Sequence, residues 1–459
     1  MTPPEPAGLS RSEKQELLRK ILVERISRTR TEPASFAQER LWFINRLQPD
    51  NDFYNISLAL RLAGPLDAGA LERALGEIVR RHETLRTTFQ EREGGPVQVI
   101  APFAGFALPA EDVPGGDGAE REAEARRLAT AEARRPFDLA VGPLFRTRLL
   151  RLGAEEHVLL VTLHHIVTDE WSMGVLFREL GALYGAFREG RDSPLPALSI
   201  QYADYAVQQR ARLRGEALER QLAYWKAQLA GAPALLELPT DRPRPAVRSS
   251  RGASERMELP GELLERLRAL GQREGATLFM TLLGAFGVLL ARYAGSDDVV
   301  VGSSIAGRTR RETEGLIGFF VNTLVLRTDL GGDPTFRETL RRVRETMLGA
   351  YDHQELPFEK LVAELQPERS LSHSPLFQVA FALRDAGSAG AGLAGLRVDW
   401  MPAGSETVNH DLGLVFAETG GGLRAILGFS TDLFERATIR RMLGHLARVL
   451  EQAAERPEL

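Results

Sequence analysis

His164-His165-Ile166-Val167-Thr168-Asp169-Glu170-Trp171-Ser172 stands where a strand-like stretch, residues 157–163, runs out into a turn. Neighbouring side chains on a strand point to opposite sides, so two adjacent histidines at its end divide their surroundings. One imidazole can enter a pocket while the other groups fix its environment. His165, further past the strand, is the candidate reaction centre. Near neutral pH an imidazole can accept a proton from an amine or hydroxyl and return it later. It can equally position an attacking amine, or steady an anionic intermediate through a hydrogen bond. Asp169 reads as a loop organiser that works through an arginine or backbone amides. Two other readings stay open on spacing alone. Both histidines can be satisfied interior residues, and His-His-x-x-x-Asp supplies usable metal donors. Against a metal stand the opposed side chains and the lack of a helical His-Glu-x-x-His. Gly-x-Ser-x-Gly is absent, which argues against a serine hydrolase.

The rest of the chain sets the frame. At 459 residues it exceeds what one hydrophobic core holds, so two lobes are expected. Hydrophobic residues make up 43% and charged residues 26%, a folded and soluble composition. A net charge of -4 gives no general attraction to nucleic acid or anionic membrane. Without cysteine, disulfides and thiolate catalysis are excluded, and a reducing cytoplasm suits the chain. The N-terminus, residues 1–28, reads as a polar lead-in and an amphipathic helix carrying Leu17, Leu18, Ile21, Leu22 and Ile26. Ser12 with Gln15, or Ser10 with Glu13, has capping-box spacing. That pattern is neither a signal peptide nor a membrane span.

Outward from the histidines, strands are predicted at residues 58–64, 85–90, 97–100, 144–152 and 158–163. Helices are predicted at 119–134 and 173–187, and another after Asp67 with Leu71, Leu75 and Ile78 on its apolar side. Residues 202–229 read as largely helical. Residues 238–245 are rich in proline and cannot continue that helix, which makes them the expected lobe connector, with its arginines as a solvated face. The second half again mixes helices (263–274, 277–293, 336–355, 433–453) with strands (298–304, 320–328, 377–384, 423–429). Residues 386–392, all glycine, alanine and serine, read as a loop or short linker. No glycine fingerprint of a dinucleotide fold or P-loop occurs.

Seven blocks then occur in one order. They are residues 35–42 (SFAQERLW), 81–89 (RHETLRTTF), 164–172, 202–208 (YADYAVQ), 317–323 (IGFFVNT), 353–359 (HQELPFE) and 374–378 (SPLFQ). In these blocks the chain closely resembles the condensation domains of nonribosomal peptide synthetases, over nearly its whole length. The resemblance implies an α+β fold of two chloramphenicol-acetyltransferase-like lobes, a V-shaped pseudo-dimer with a central tunnel. The corresponding division is 1-30 as an N-terminal helical extension, 31-190 as the first lobe, 191-245 as the connection and 246-459 as the second lobe with cross-lobe bridge elements. Implied is amide formation between an upstream aminoacyl or peptidyl thioester and a downstream aminoacyl amine, both on carrier proteins, with neighbouring synthetase domains as further partners. No cofactor is implied on this chain; phosphopantetheine belongs to the carriers.

By the same resemblance His165 is the active-site histidine, with His164 and Asp169 architectural and Arg308 the partner of Asp169. Trp171, Ser172 and Gly174 match the continuation that shapes the tunnel, and Asn322 lies near the bridge or floor. Two positions depart from the usual pattern. Glu170 replaces a glycine, and His410 stands before Asp411-Leu412 where an aromatic residue is common. A tunnel-facing Glu170 could help dehydrate a serine or threonine residue; an outward one is a helix-start acid. His410 is either an unusual tunnel group or a packed histidine. An epimerisation enzyme and a noncatalytic carrier-binding module are the remaining alternatives.

Overall fold

The computed structural model describes residues 28–367, 370–384, 392–401 and 407–459. The expected amphipathic N-terminal helix lies outside the described residues, as does most of the 386–392 stretch. The chain begins β1 (Arg30–Pro33), α1 (Phe36–Leu47), β2 (Asn55–Ala63), α2 (Ala68–Arg81), β3 (Thr87–Arg92), β4 (Gly95–Ile100), β5 (Ala110–Asp112) and α3 (Gly118–Arg134). It continues β6 (Phe145–Arg151), β7 (Glu156–His164), α4 (Glu170–Arg188), α5 (Tyr202–Arg212), α6 (Gly215–Gln228), β8 (Gly252–Pro260), α7 (Gly261–Arg273) and α8 (Leu278–Ala294). Then follow β9 (Asp298–Ile305), β10 (Asn322–Asp329), α9 (Phe336–Asp352), α10 (Phe358–Leu365), β11 (Val379–Arg384), β12 (Arg397–Met401), β13 (Leu412–Thr419), β14 (Gly422–Ser430) and α11 (Arg436–Glu455).

Two compact units result, and they do not follow chain order. The first takes the described residues of Met1–Ala211, Arg308–Phe320 and Gly390–Gly404; the second takes those of Arg212–Gly307, Val321–Ala389 and Ser405–Leu459. In the first, a five-stranded sheet runs β12-β2-β7-β6-β5. Its central strand β7 is buried almost from end to end, which explains its unbroken apolar run. One face carries α2 and α4 through Leu71, Leu75, Leu176 and Leu180. The other carries α3 through the buried Ala125 and Ala129, with partly buried Leu128 packed beside them. Asp67 caps α2 as expected, accepting the Ala70 amide at 2.9 Å. A small antiparallel sheet, β1-β4-β3, completes this unit.

The second unit is built on a six-stranded sheet, β10-β9-β11-β13-β14-β8, in which β9-β11 and β11-β13 run parallel. Its core includes Leu282, Phe286 and Leu290 of α8 together with Phe381 and Phe416 of the sheet. Residues 202–229 are largely helical as expected, in two helices broken between Arg212 and Gly215. Two sequence expectations need correction. The strand expected from 320 begins at Asn322, because the Phe320 amide is engaged by a side chain instead of a neighbouring strand. The arginines of 238–245 divide: Arg242 is 47% exposed, as a solvated face requires, whereas Arg244 is 20% exposed and serves as an anchor. Arg244 grips Asp411 with both nitrogens, at 3.1 and 2.5 Å, and Arg242 donates to the Thr431 carbonyl at 2.7 Å.

Candidate active site

The histidine run closes a strand and opens a helix within six residues. His164 is the last residue of β7, opposite Asn55 of β2. The chain then makes one 3-10 turn, His165–Val167, and enters α4 with Asp169 as its N-cap. The His165 amide donates to the Tyr54 carbonyl at 2.8 Å, which fixes where the turn starts. Gln38, fully buried on α1, donates to the Ile166 carbonyl at 3.1 Å and fixes its middle.

The two imidazoles part company here. His164 turns into the interior, where its Nδ1 accepts the Ile166 amide at 3.1 Å beside the rings of Phe137 and Tyr54. Burial, reinforced by the adjacent His165, pushes its pKa down to about 3. It is a neutral structural residue. His165 is partly buried, and its Nδ1–H donates to the Thr168 carbonyl at 2.7 Å. A carbonyl can only accept, so this bond assigns the proton to Nδ1 and leaves the lone pair on Nε2. Burial lowers the His165 pKa; the Thr168 carbonyl and the Asp169 charge oppose that shift without reversing it. The ring edge packs against Phe319, with centroids 4.8 Å apart.

Asp169 is an organiser with both carboxylate oxygens engaged. Its Oδ1 takes the Ser172 amide at 2.8 Å and Arg308 Nη2 at 3.2 Å; its Oδ2 takes the Phe320 amide at 2.9 Å. Side-chain exposure is 0% for Asp169 and 2% for Arg308, so this ion pair is wholly interior. The Ser172 hydroxyl accepts from Arg308 Nη2 at 2.7 Å and from the Gly318 amide at 3.0 Å. It lies 2.7 Å from Asp169 Oδ1 and 2.9 Å from the Gly318 carbonyl, one of which takes its proton. Arg308 also donates to the Thr313 and Leu316 carbonyls and stacks over Phe320, 4.0 Å from the ring centre. Removing one partner of such a pair strands the other charge, at a cost of about 3–5 kcal/mol.

The remaining expected site residues divide clearly. Trp171 is 48% exposed, and its indole N–H reaches the Glu314 carbonyl at 2.9 Å. Gly174 lies beside open space, where an added Cβ would meet nothing within 4 Å. Glu170 is the exposed first residue of α4, beside the unsatisfied amides of a helix start. Asn322 belongs to the second unit and pins a turn there. It donates to the Gln354 and Leu356 carbonyls at 2.9 and 2.7 Å, and accepts the Phe358 amide at 3.0 Å. His410 lies in that unit, partly buried, with its ring 5.2 Å from the Phe377 ring. Sequence reasoning did not single out Phe319, Gln38 or His82, although all three fall inside the quoted blocks. The Ser35-x-x-Gln38 spacing was the available signal for Gln38, and it forms a capping box. Among the described residues no group of three His, Asp or Glu is placed to hold a metal ion. Nor is any single described helix long and apolar enough to cross a membrane.

Two mixed units, a strand-end histidine with its lone pair on Nε2 and a buried aspartate–arginine pair are the architecture of a chloramphenicol-acetyltransferase-like fold. Solved structures agree. The X-domain in complex with OxyB from teicoplanin biosynthesis is 34% identical with a TM-score of 0.84, covering 94% of this chain and 95% of that one. A four-domain nonribosomal peptide synthetase bound to AMP and glycine is 25% identical with a TM-score of 0.82, covering 94% of this chain and 34% of that one. A family model described as the condensation domain matches residues 29–459, and the chain belongs to that family, the condensation domains of nonribosomal peptide synthetases. A linear gramicidin synthase of Brevibacillus parabrevis is 53% identical over 93% of this chain, which spans 6% of that synthase's length.

Proposed function

We propose that this chain joins an upstream aminoacyl or peptidyl thioester to the amine of a downstream aminoacyl thioester, each delivered on a carrier protein. The observation that carries this reading is the fixed tautomer of His165. With Nδ1–H committed to the Thr168 carbonyl, Nε2 is a neutral acceptor. The amine nitrogen attacks the thioester carbonyl carbon and a C–N bond forms. The tetrahedral intermediate then collapses, the C–S bond breaks and its electron pair leaves on sulfur. The proton lost by nitrogen passes to Nε2 of His165 and on to the departing thiolate, so the imidazole ends as it began. A thioester is already an activated acyl donor. Holding two tethered substrates together therefore supplies much of the rate. Carrier proteins and neighbouring synthetase domains are the partners this reading requires, in keeping with the much longer synthases the chain resembles.

Dehydration through Glu170 is not part of this reading, because a helix-start position accounts for that carboxylate. A second reading is a binding role, since the similar X-domain is found in complex with OxyB. The intact His165 and Asp169–Arg308 arrangement favours chemistry over binding alone. Intact-mass analysis of separately loaded donor and acceptor carriers separates these outcomes. The expected result is a joined product that keeps a serine donor's hydroxyl and disappears in His165→Ala. Carrier binding with no joined product would overturn it, and a joined product lacking one water would restore dehydration.

A further inference from the structure

Each residue from Leu316 to Phe320 has a backbone group tied to a side chain of the first unit. Arg308 holds the Leu316 carbonyl at 2.9 Å, Ser172 holds Gly318 and Asp169 holds the Phe320 amide. Two further ties come from residues without a role so far. Tyr202, 1% exposed, donates to the Phe319 carbonyl at 2.6 Å. Its ring passes so close to the ribbon that a Cβ on Gly318 would lie 2.0 Å from it. His82, 1% exposed, accepts the Ile317 amide on Nδ1 at 3.3 Å.

The direction of that last bond is set from the other side of the ring. His82 Nε2 lies 2.8 Å from Glu179 Oε2, and Glu179 is held ionised by Arg81 at 3.0 Å. A carboxylate accepts only, so Nε2 carries the proton and Nδ1 carries the lone pair. Burial keeps this imidazole neutral by pushing its pKa down against the pull of Glu179. A helix-borne carboxylate, Glu179 of α4, thus prepares an acceptor for a backbone amide in a distant stretch of chain. That stretch presents the Phe319 ring to His165.

We propose that His82 is a positioning residue for His165: oriented by Glu179, it sets the 316–320 ribbon whose Phe319 forms one wall against the reacting imidazole. This rests on the amide-forming reading above. Nitrogen-15 imidazole shifts of the native protein test the premise. His82 should show a protonated Nε2 and an unprotonated Nδ1, and the opposite tautomer would overturn the proposal. A pair of variants tests the consequence. His82→Asn keeps an acceptor near the Nδ1 position, whereas His82→Gln reaches toward Glu179 and withdraws it. The Gln variant should lose roughly tenfold in kcat with KM for the donor carrier within about twofold, and Asn should recover to within about threefold of native. The His165 titration, read by the same shifts without substrate, should move in the Gln variant and not in Asn. Equal kcat in the two variants, or a loss in Gln with His165 unmoved, would contradict it. If native protein formed no amide, the functional reading would fall while the substrate-free His165 titration still judged His82.

Discussion

Two turns, one in each unit, use the same local bond to opposite ends. His165 donates Nδ1–H to the Thr168 carbonyl at 2.7 Å, and His353 donates Nδ1–H to the Gly349 carbonyl at 2.8 Å. Both therefore hold the lone pair on Nε2. Yet His353 lies flat on Tyr224, centroids 4.0 Å apart at 5°, while Trp225 donates to its carbonyl at 3.0 Å. It closes α9 against α6 and is consumed by packing. His165 instead has Phe319 at its edge and, a few residues along the chain, Asp169 paired with the distant Arg308. A tautomer alone does not make a reactive group. The surroundings decide, and the organisers differ accordingly. Asp169 is a buried charge balanced by Arg308, whereas Asn322, organiser of the second turn, meets its backbone partners as a neutral amide.

The comparison breaks first at the histidines themselves. His165→Ala should lower kcat by about 10²–10⁴, as loss of a proton-transfer group does. His353→Ala should leave kcat within about threefold while lowering the melting temperature. Comparable kcat losses in both would show that the local bond, not its setting, matters. The organisers should separate next. Asp169→Ala should cost about 3–5 kcal/mol in urea unfolding, because Arg308 is left as an uncompensated interior charge. Asn322→Ala, which strands only neutral backbone groups, should cost about 1–3 kcal/mol.

Acid titration sharpens the contrast between His164 and its neighbour. His164 has a folded pKa near 3 against an ordinary 6.5, so the unfolded chain binds the extra proton between those values. Its contribution is full above pH 6.5 and is lost as pH falls toward 3. Unfolding free energy measured across that window should decline, and more gently once His164 is replaced by a non-titrating residue. The smallest effect should come from Glu170→Gln, which removes a helix-start charge and should cost about 0.3–1 kcal/mol with kcat nearly unchanged. A large kcat loss there would move Glu170 into the chemistry.

The sequence made His165 and Asp169 legible because each carries its chemistry in its own side chain and sits in a block of fixed spacing, and Arg308 followed from the family resemblance. The ribbon was not legible. Phe319 acts through an edge contact and His82 through a backbone amide 235 residues away, and neither leaves a local pattern. Asn322 was placed at the right turn without its partners, which lie more than thirty residues further on. Among the elements, amphipathic helices such as α2 read correctly from the recurrence of Leu71, Leu75 and Ile78. Strand β8 did not, since Gly-Ala-Ser-Glu-Arg-Met-Glu-Leu-Pro buries only Ala253 and Leu259 and pairs along one side with β14. Likewise, β12 is an edge strand pairing with β2 from more than 300 residues away, and its mostly exposed side chains give no buried alternation to read.

The central claim is that a neutral His165 with its lone pair on Nε2 handles the proton of amide formation. Single-turnover rates with preloaded carriers, followed from pH 8 downward, test it most directly. Burial lowers the His165 pKa, so the acid limb should fall below the ordinary 6.5, with full activity above it, and should vanish in His165→Ala. An acid limb at or above 6.5, or one that survives in His165→Ala, would contradict the account.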